Sequence, residues 1–350
     1  MSNTLSSPMN KIRRIALLTS GGDAPGMNAA IRAIVLAAHH YQIDVIGFYH
    51  GYNGLIEHES VELTLSHVND IIYKGGTILK SARCPAMHNI TGIKQAVNTL
   101  NKEKIDALIV IGGDGSFQGL LEIAQHWPKQ VIGLPGTIDN DLDGTDYTIG
   151  FSTAINTAIE AIDKIRDTAN AFDRIFIIEV MGRHSGFIAF NVGIACAAEQ
   201  VLSFENFSRG DEQKTLDKLA KEINEVKKDK DSSYLIVMAE NLWDGGISAL
   251  TEQLKAQKNI DATACTLGHI QRGGSPVAKD RILATKMGVT AVQMLTEEKT
   301  AIMVAEQCNT ICSVPLEETV EHKKRVSSTL IQAQENIFAL VPKVEPETEQ

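Results

Sequence analysis

Aromatic residues are scarce, 5% of 350 with 2 Trp among them, and cysteine is equally thin. Cys84, Cys196, Cys265, Cys308 and Cys312 lie far apart, which excludes a small disulfide-stapled scaffold. With no apolar core in the opening MSNTLSSPMNKIRR, the thiols read as reduced and the protein as cytoplasmic. Cys308 and Cys312 suit one helical face, but two thiols without a histidine nearby do not make a zinc site. Long hydrophobic runs are missing too. The apolar stretch 187–198 is broken by Asn191 and falls short of the roughly 20 residues that cross a bilayer. Positive charge is in deficit, 33 Lys+Arg against 43 Asp+Glu for a net −10, so nucleic acid and anionic membranes are disfavoured partners. Any anionic ligand must then be met by locally placed cations. No 20–50-residue repeat of the solenoid kind is found.

What is present is a normal globular mixture, 43% hydrophobic and 22% charged, with 27 Gly, a composition suited to tight strand-to-helix turns. Apolar, β-branched runs at 14–19, 44–48, 106–111, 131–134, 174–180 and 234–239 predict buried parallel strands. Helical spacing at 26–39, 91–102, 116–126, 152–168, 185–197, 212–227 and 276–295 alternates with them. The order predicts an α/β protein of two doubly wound, Rossmann-like domains with parallel-rich sheets. One comprises 1–150 plus about 271–315, the other 151–270 plus about 316–350. The run KKDKDSSY reads as a solvated helix end and the tail PKVEPETEQ as frayed.

Open α/β sheets bind ligands at the carboxyl ends of their strands, and three loops there are unusual. Thr19-Ser20-Gly21-Gly22-Asp23-Ala24-Pro25-Gly26-Met27-Asn28 follows the first strand, and its glycines let backbone N–H groups approach a phosphate at a helix N-terminus. It lacks the Lys of a Walker A loop. A second glycine-rich turn, Gly112-Gly113-Asp114-Gly115-Ser116, holds one carboxylate. Asp114 suits a Mg²⁺ bridging phosphate oxygens; the plainer alternative is a helix N-cap, and two such glycine loops in one domain tilt the balance toward nucleotide. The third loop, 135–146, spaces Asp139, Asp141 and Asp143 ahead of Gly144 like an EF-hand, but the twelfth position is Gly150 instead of a bidentate Glu, so calcium is rejected. Asp139 and Asp141 at a strand end can serve a hydroxyl acceptor as base. Base, metal, phosphate cradle and cations are what phosphoryl transfer needs.

Together TSGGDAPGMNAAIR, the GGT-x-L-x-SAR run, VIGGDGS, GLPGTIDNDLDGTDYTIGF, EVMGRHSGF and LGHIQRGGSP resemble the bacterial type of ATP-dependent 6-phosphofructokinases, from Ile15 to about Leu295. PGTIDND and GHIQRGG separate the chain from lipid and NAD kinases, which share GGDG. The resemblance implies transfer of the γ-phosphoryl group of ATP, the co-substrate, to the C1 hydroxyl of fructose 6-phosphate in glycolysis, with the active site in the cleft between domains. It implies that Gly21, Tyr52, Arg83, Cys84, Gly115, Ser116 and Gly119 line the ATP site of the first domain and that Asp114 binds Mg²⁺. Asp139 is then the general base, with Thr137 and Asp141 near the transferring group and Arg183 and Arg83 stabilising its charge. Met181, Gly182, Glu240, His269 and Arg272 are to hold the sugar and its phosphate, and Arg174 to reach that phosphate from a neighbouring subunit of a homotetramer. Each has a plainer alternative: Arg174 as a surface cation, His269 as a core histidine, Arg272 as a loop charge, Met181 as packing. Gly115 and Gly136 stand where pyrophosphate-dependent members carry Asp and Lys, so small residues are expected to leave room for the α-phosphate of ATP.

Two departures from the family pattern stand out. Thr263 occupies the place of an Arg that reaches the sugar phosphate across a subunit interface, a loss worth about 1.5–3 kcal/mol. In the effector site that the resemblance implies, Arg32, Arg166 and Glu199 match, but Leu36, Leu65, Asp229 and Asp231 stand where cations are expected, so little response to ADP or phosphoenolpyruvate follows. Lys80 replaces a Gly beside the nucleotide loop. A kinase for another sugar phosphate and a weakly catalytic regulatory subunit are the rival readings; intact Asp114, Asp139 and Arg183 speak against the latter.

Overall fold

A computed structural model describes residues 12–227 and 233–339. Asp229, Asp231, most of the KKDKDSSY run and the tail from Pro342 lie outside the described residues. The chain forms two units, one running to Ala154 and resuming over Arg272–Lys324, the other comprising Ile155–Gln271 and the chain from Arg325. The described residues form twelve strands: β1 (Arg14–Thr19), β2 (Asp44–Phe48), β3 (Ser60–Glu62), β4 (Ala107–Gly112), β5 (Gln130–Thr137), β6 (Ile149–Gly150), β7 (Ile175–Val180), β8 (Gln200–Leu202), β9 (Tyr234–Ala239), β10 (Ala262–Thr266), β11 (Ile302–Gln307) and β12 (Thr310–Pro315).

In the first unit the sheet order is β12-β11-β5-β4-β1-β2-β3, with β6 on β5. The interior is parallel, and the antiparallel strands β3 and β12 close its edges. The sequence explains the interior: ALIVIG of β4 is buried at every position, so it needs helices on both faces, which only crossover connections supply. The core gathers Leu18, Leu108, Val110 and Phe117 around Trp127, whose Nε1 donates to Asn101 Oδ1 at 3.1 Å. Because β1 pairs with β2 on one side and β4 on the other, the winding reverses beside β1. That reversal opens a crevice at the strands' carboxyl ends, the place where such sheets take ligands.

The second unit has the order β10-β7-β9-β8, parallel throughout. Its core packs Ile177, Ile236 and Met238 against Leu216, Leu219 and Leu250 of the helices Glu212–Val226 and Gly246–Lys258. β10 is an exposed edge strand, as small and hydroxylated side chains in ATACT permit. β11 and β12 join through Cys308 (φ 49) and Asn309 (φ 63), the two left-handed residues of a type I′ turn, whose twist matches that of the strands.

Candidate active site

The two glycine-rich loops lie at the switch point of the first unit and are tied to each other. Ser20 N donates to Ile111 O at 2.9 Å. Gly21 takes φ +87, a left-handed conformation that favours glycine, and a Cβ there would sit 3.3 Å from Ser116 Oγ. A Cβ on Gly112 would be only 2.7 Å from the carbonyl of Ser20. Ser81 Oγ donates to Gly21 O at 2.6 Å, and Thr19 Oγ1 donates to Lys80 O at 2.7 Å, so the strap carrying Lys80 (φ 58) is laced to the first glycine loop. Buried Tyr52 donates from its hydroxyl to Ser116 O at 2.6 Å, and its ring lies 3.1 Å from the Cβ position of Gly119. Burial drives the Tyr52 phenol far up, with Cys84 adding to the effect, and burial also raises the Cys84 thiol. Asn53 Nδ2 donates to Arg83 O at 3.1 Å and leaves the Arg83 side chain exposed. Gly21, Tyr52, Arg83, Cys84, Ser116 and Gly119 thus gather around one pair of loops.

The two readings of Asp114 are separated by the geometry. Gly113 is the N-cap of the helix Asp114–His126, accepting from Ser116 N at 3.0 Å, and Asp114 stands in the first turn with its carboxylate exposed. Nothing lies within 4 Å of a Cβ built on Gly115, so the turn has open space beside one carboxylate. That fits Mg²⁺ carried on nucleotide phosphates, which needs only one or two protein carboxylates. Among the described residues no cluster of three ligating side chains offers a metal cage of its own. At Gly136 the Cβ position lies 2.7 Å from Ile111 Cγ2 and 3.1 Å from Met27 Cε. A larger residue at 136 would press on those two side chains, whereas the space beside Gly115 is open.

The Asp139 loop emerges from β5 next to that turn. The Cβ of a residue at 113 would be 3.5 Å from Thr137 Cβ, and Thr137 Oγ1 accepts from Asp139 N at 3.2 Å. Thr148 Oγ1 donates to Thr137 O at 2.6 Å, while Asn140 (φ 53) accepts from Thr148 N at 2.9 Å. Asp139 is buried and Asp141 half-buried. Arg272, which belongs to the first unit, donates from Nη1 to Asp23 O at 3.3 Å and packs on Gly22, whose Cβ position would meet the same nitrogen.

In the second unit the carboxyl ends of β7, β9 and β10 assemble the other group. Glu240, just past β9, accepts at Oε1 from Gly182 N at 3.2 Å and Arg183 N at 2.8 Å. Asn241 Nδ2 donates to Arg183 O at 3.2 Å. Those bonds hold Gly182 at φ 145 and Arg183 at φ 57, and a strained turn held this firmly is a mark of functional positions. Gln271, buried completely, accepts at Oε1 from Met181 N at 2.8 Å. Neither Gln271 nor Asn241 is among the predicted ligands, since their bonds run to backbone atoms of Met181 and Arg183 that no motif displays. Met181 is buried, while His269 is exposed near the end of β10 and so is not a core histidine. Arg174 is not brought to this group. It precedes β7 whereas Met181–Arg183 follow it, and its guanidinium stacks 4.4 Å from the Phe172 ring centre. Thr263, paired with Phe176, lies toward that same far end of the strand. Of the effector residues, Arg166 donates to Cys196 O and Ala197 O, both at 2.8 Å, and pairs with Glu199 at 3.5 Å; Leu36 and Leu65 are partly exposed.

Two parallel α/β units, one presenting paired glycine loops beside a buried strand-end carboxylate, define a small-molecule phosphotransferase. Residues 14–295 match the model described as phosphofructokinase, and the chain belongs to that family. It is 46% identical over 321 residues to the ATP-dependent 6-phosphofructokinase 1 of Thermus thermophilus, covering 91% of this chain and 98% of that one. Over 314 residues it is 47% identical to the ATP-dependent 6-phosphofructokinase of Clostridioides difficile, covering 89% and 95%. The phosphofructokinase structure from Saccharomyces cerevisiae superposes with a TM-score of 0.83 at 33% identity, over 93% of this chain and 47% of the yeast chain. The pyrophosphate-dependent phosphofructokinase of Marinobacter aquaeolei shares the fold, with a TM-score of 0.74 at 22% identity over 90% and 86%.

Proposed function

We propose that the chain transfers the γ-phosphoryl group of ATP to the C1 hydroxyl of fructose 6-phosphate, yielding fructose 1,6-bisphosphate and ADP. The observation that carries this reading is the approach of Gly113 to Thr137, which sets the nucleotide turn next to the loop of a buried carboxylate. Asp139 takes the proton from the attacking hydroxyl, with its backbone N–H held by Thr137. Asp141 stands near the transferring group, and Arg83 and Arg183 stabilise the charge that develops there. Asp114 would hold the Mg²⁺ that enters with ATP and neutralises the phosphate oxygens. Met181, Gly182, Glu240, His269 and Arg272 bind the sugar phosphate, the planar guanidinium of Arg272 suiting two phosphate oxygens. Arg174 serves a neighbouring subunit's sugar site in a cytoplasmic homotetramer, a role supported by its place at the end of β7 opposite Met181.

The test is ADP release with Mg²⁺-ATP and fructose 6-phosphate, with pyrophosphate as the alternative donor and Asp139→Asn as the variant. Turnover with ATP should fall by about 10²–10⁴ in Asp139→Asn while the folded content stays unchanged. Efficient use of pyrophosphate, or an active Asp139→Asn, refutes the reading. A panel of other sugar phosphates is run beside it, because Thr263 removes a cation from the subunit face.

A further inference from the structure

The loop that carries Asp139 runs on through Asp141, Asp143 and Asp146, a density of negative charge that repels itself unless countered. Several separate stretches hold it. From the β11–β12 hairpin, Asp146 N donates to Glu306 O at 2.7 Å, Cys308 N donates to Asp146 Oδ2 at 2.7 Å, and Gln307 Nε2 donates to Gly144 O at 2.8 Å. From inside the loop, Asn140 Nδ2 donates to Asp146 O at 3.2 Å. From the last segment of the unit, Lys323 pairs with Leu142 as an isolated antiparallel bridge, and half-buried Lys324 donates from Nζ to Asp146 O at 2.8 Å.

Lys324 is the cation of this group. Burial pushes its ammonium down to about 8, opposed in order by the carboxylates of Asp146, Asp141 and Asp143. The other charges nearby are engaged elsewhere or exposed: Glu306 with Lys286 at 2.6 Å, Lys279 over the Tyr147 ring, and Lys323 and Arg325 on the segment itself. A lysine taken partly out of water is an expensive way to fill space, since an apolar residue would pack there at lower cost. Its specific gain is a countercharge fixed among three carboxylates.

We propose that Lys324 is a positioning residue for phosphoryl transfer: its ammonium, bonded to the Asp146 carbonyl, fixes the 139–146 loop and with it the placement of Asp139 and Asp141. The proposal rests on the kinase reading for the role of Asp139. It makes stability and catalysis respond to pH with opposite signs. Lys324 titrates near 8 when folded and at an ordinary lysine value of 10.5 when unfolded, so between these the unfolded chain binds more protons and the group's share of stability rises with pH. Catalysis should fall over the same window as the countercharge disappears.

The experiment compares the full-length protein with Lys324→Met, Lys324→Arg and the exposed neighbour Lys323→Met, by kcat and KM across pH 6–10 and by backbone amide exchange. The native kcat should fall on the alkaline side near pH 8 with both KM values steady. Lys324→Arg should keep kcat at pH 7 and shift that fall upward by about one pH unit or more, since guanidinium does not titrate there. Lys324→Met should lose about tenfold or more in kcat with KM within about twofold, the signature of an interaction felt in the transition state. Its amides at 140–146 should exchange about tenfold faster while those of β4 do not. Lys323→Met should match the native enzyme. A Lys324→Met enzyme within about twofold of native kcat, or a Lys324→Arg enzyme as impaired as Lys324→Met, overturns the proposal. Should Lys324→Met fail to fold, the native and Lys324→Arg pH profiles decide. Native protein without turnover, but with the exchange effect intact, sinks the kinase reading and leaves the clamp standing.

Discussion

Removing the Asp280 carboxylate should destabilise the first unit substantially. Asp280 lies in the first turn of the helix Ala278–Thr296 and is entirely buried. Its Oδ1 accepts from Gly150 N at 3.1 Å, and its Oδ2 from Thr153 N at 2.7 Å and Thr153 Oγ1 at 2.5 Å. It therefore caps, from outside, the start of the helix Phe151–Asn170. Asp280→Ala leaves two backbone N–H groups without an acceptor at a fully buried position, at about 1–3 kcal/mol each. The Thr153 hydroxyl can turn to another acceptor, and its oxygen still receives Val277 N at 3.0 Å. Losing the carboxylate's own desolvation returns part of the cost, so about 3 kcal/mol is the net expectation, or roughly 6–12 °C in Tm for a unit of this size. Urea unfolding followed by tryptophan fluorescence reads it, Trp127 being a core residue of the same unit. Asp280→Asn, which keeps one acceptor oxygen, should lose about half as much. Burial holds this carboxyl above its ordinary value, so the folded chain binds the proton more tightly than the unfolded one. The group's share of stability then falls as pH rises from the ordinary carboxylate range through the raised pKa, and Asp280→Ala should flatten that slope. A loss below about 1 kcal/mol, with the slope intact, would refute the assignment of these bonds as a cap.

Thr263→Arg, on an exposed edge strand, should lower the KM for fructose 6-phosphate about tenfold or more, the worth of one charge-assisted phosphate contact; an unchanged KM in steady-state kinetics refutes it. Added ADP or phosphoenolpyruvate should leave the fructose 6-phosphate saturation curve within about twofold of its original midpoint, because Arg166 is engaged by Cys196 O, Ala197 O and Glu199 and Leu36 and Leu65 bring no charge. A sigmoidal curve that ADP renders hyperbolic counts against this.

How far the sequence reaches depends on what each segment buries. β1, β2 and β9 begin and end where the apolar runs do, since a parallel strand covered on both faces writes its limits in β-branched residues. β5 extends to Thr137 past the predicted 134 because Pro135, Gly136 and Thr137 continue the ladder with β4 and β6. Pro there is tolerated at a strand's far end, against its usual reading as a breaker. β10 escaped the reading because Thr263, Ala264 and Thr266 are exposed and leave no alternation. The β11–β12 hairpin escaped because its turn is Cys308-Asn309, without the glycine that marks such turns. Within the candidate site the glycine-rich turns and the Asp139 loop were placed at strand ends from residue type, and that is where they lie. Gln271 and Lys324 were not legible, for their roles come from Met181 N and Asp146 O, atoms that every residue possesses and no motif displays.

The first unit's sheet is completed late in the life of the chain. β5 is finished at Thr137, yet its outer neighbour β11 begins only at Ile302, after the Ile155–Gln271 stretch of the second unit has been made. At about 5–20 residues per second the ribosome leaves that edge open for roughly ten to thirty seconds. During that interval the nascent protein exposes a hydrophobic strand border to any other chain that can pair with it. Synthesis order thus makes the unit that holds the nucleotide loops the one with most to gain from chaperone cover.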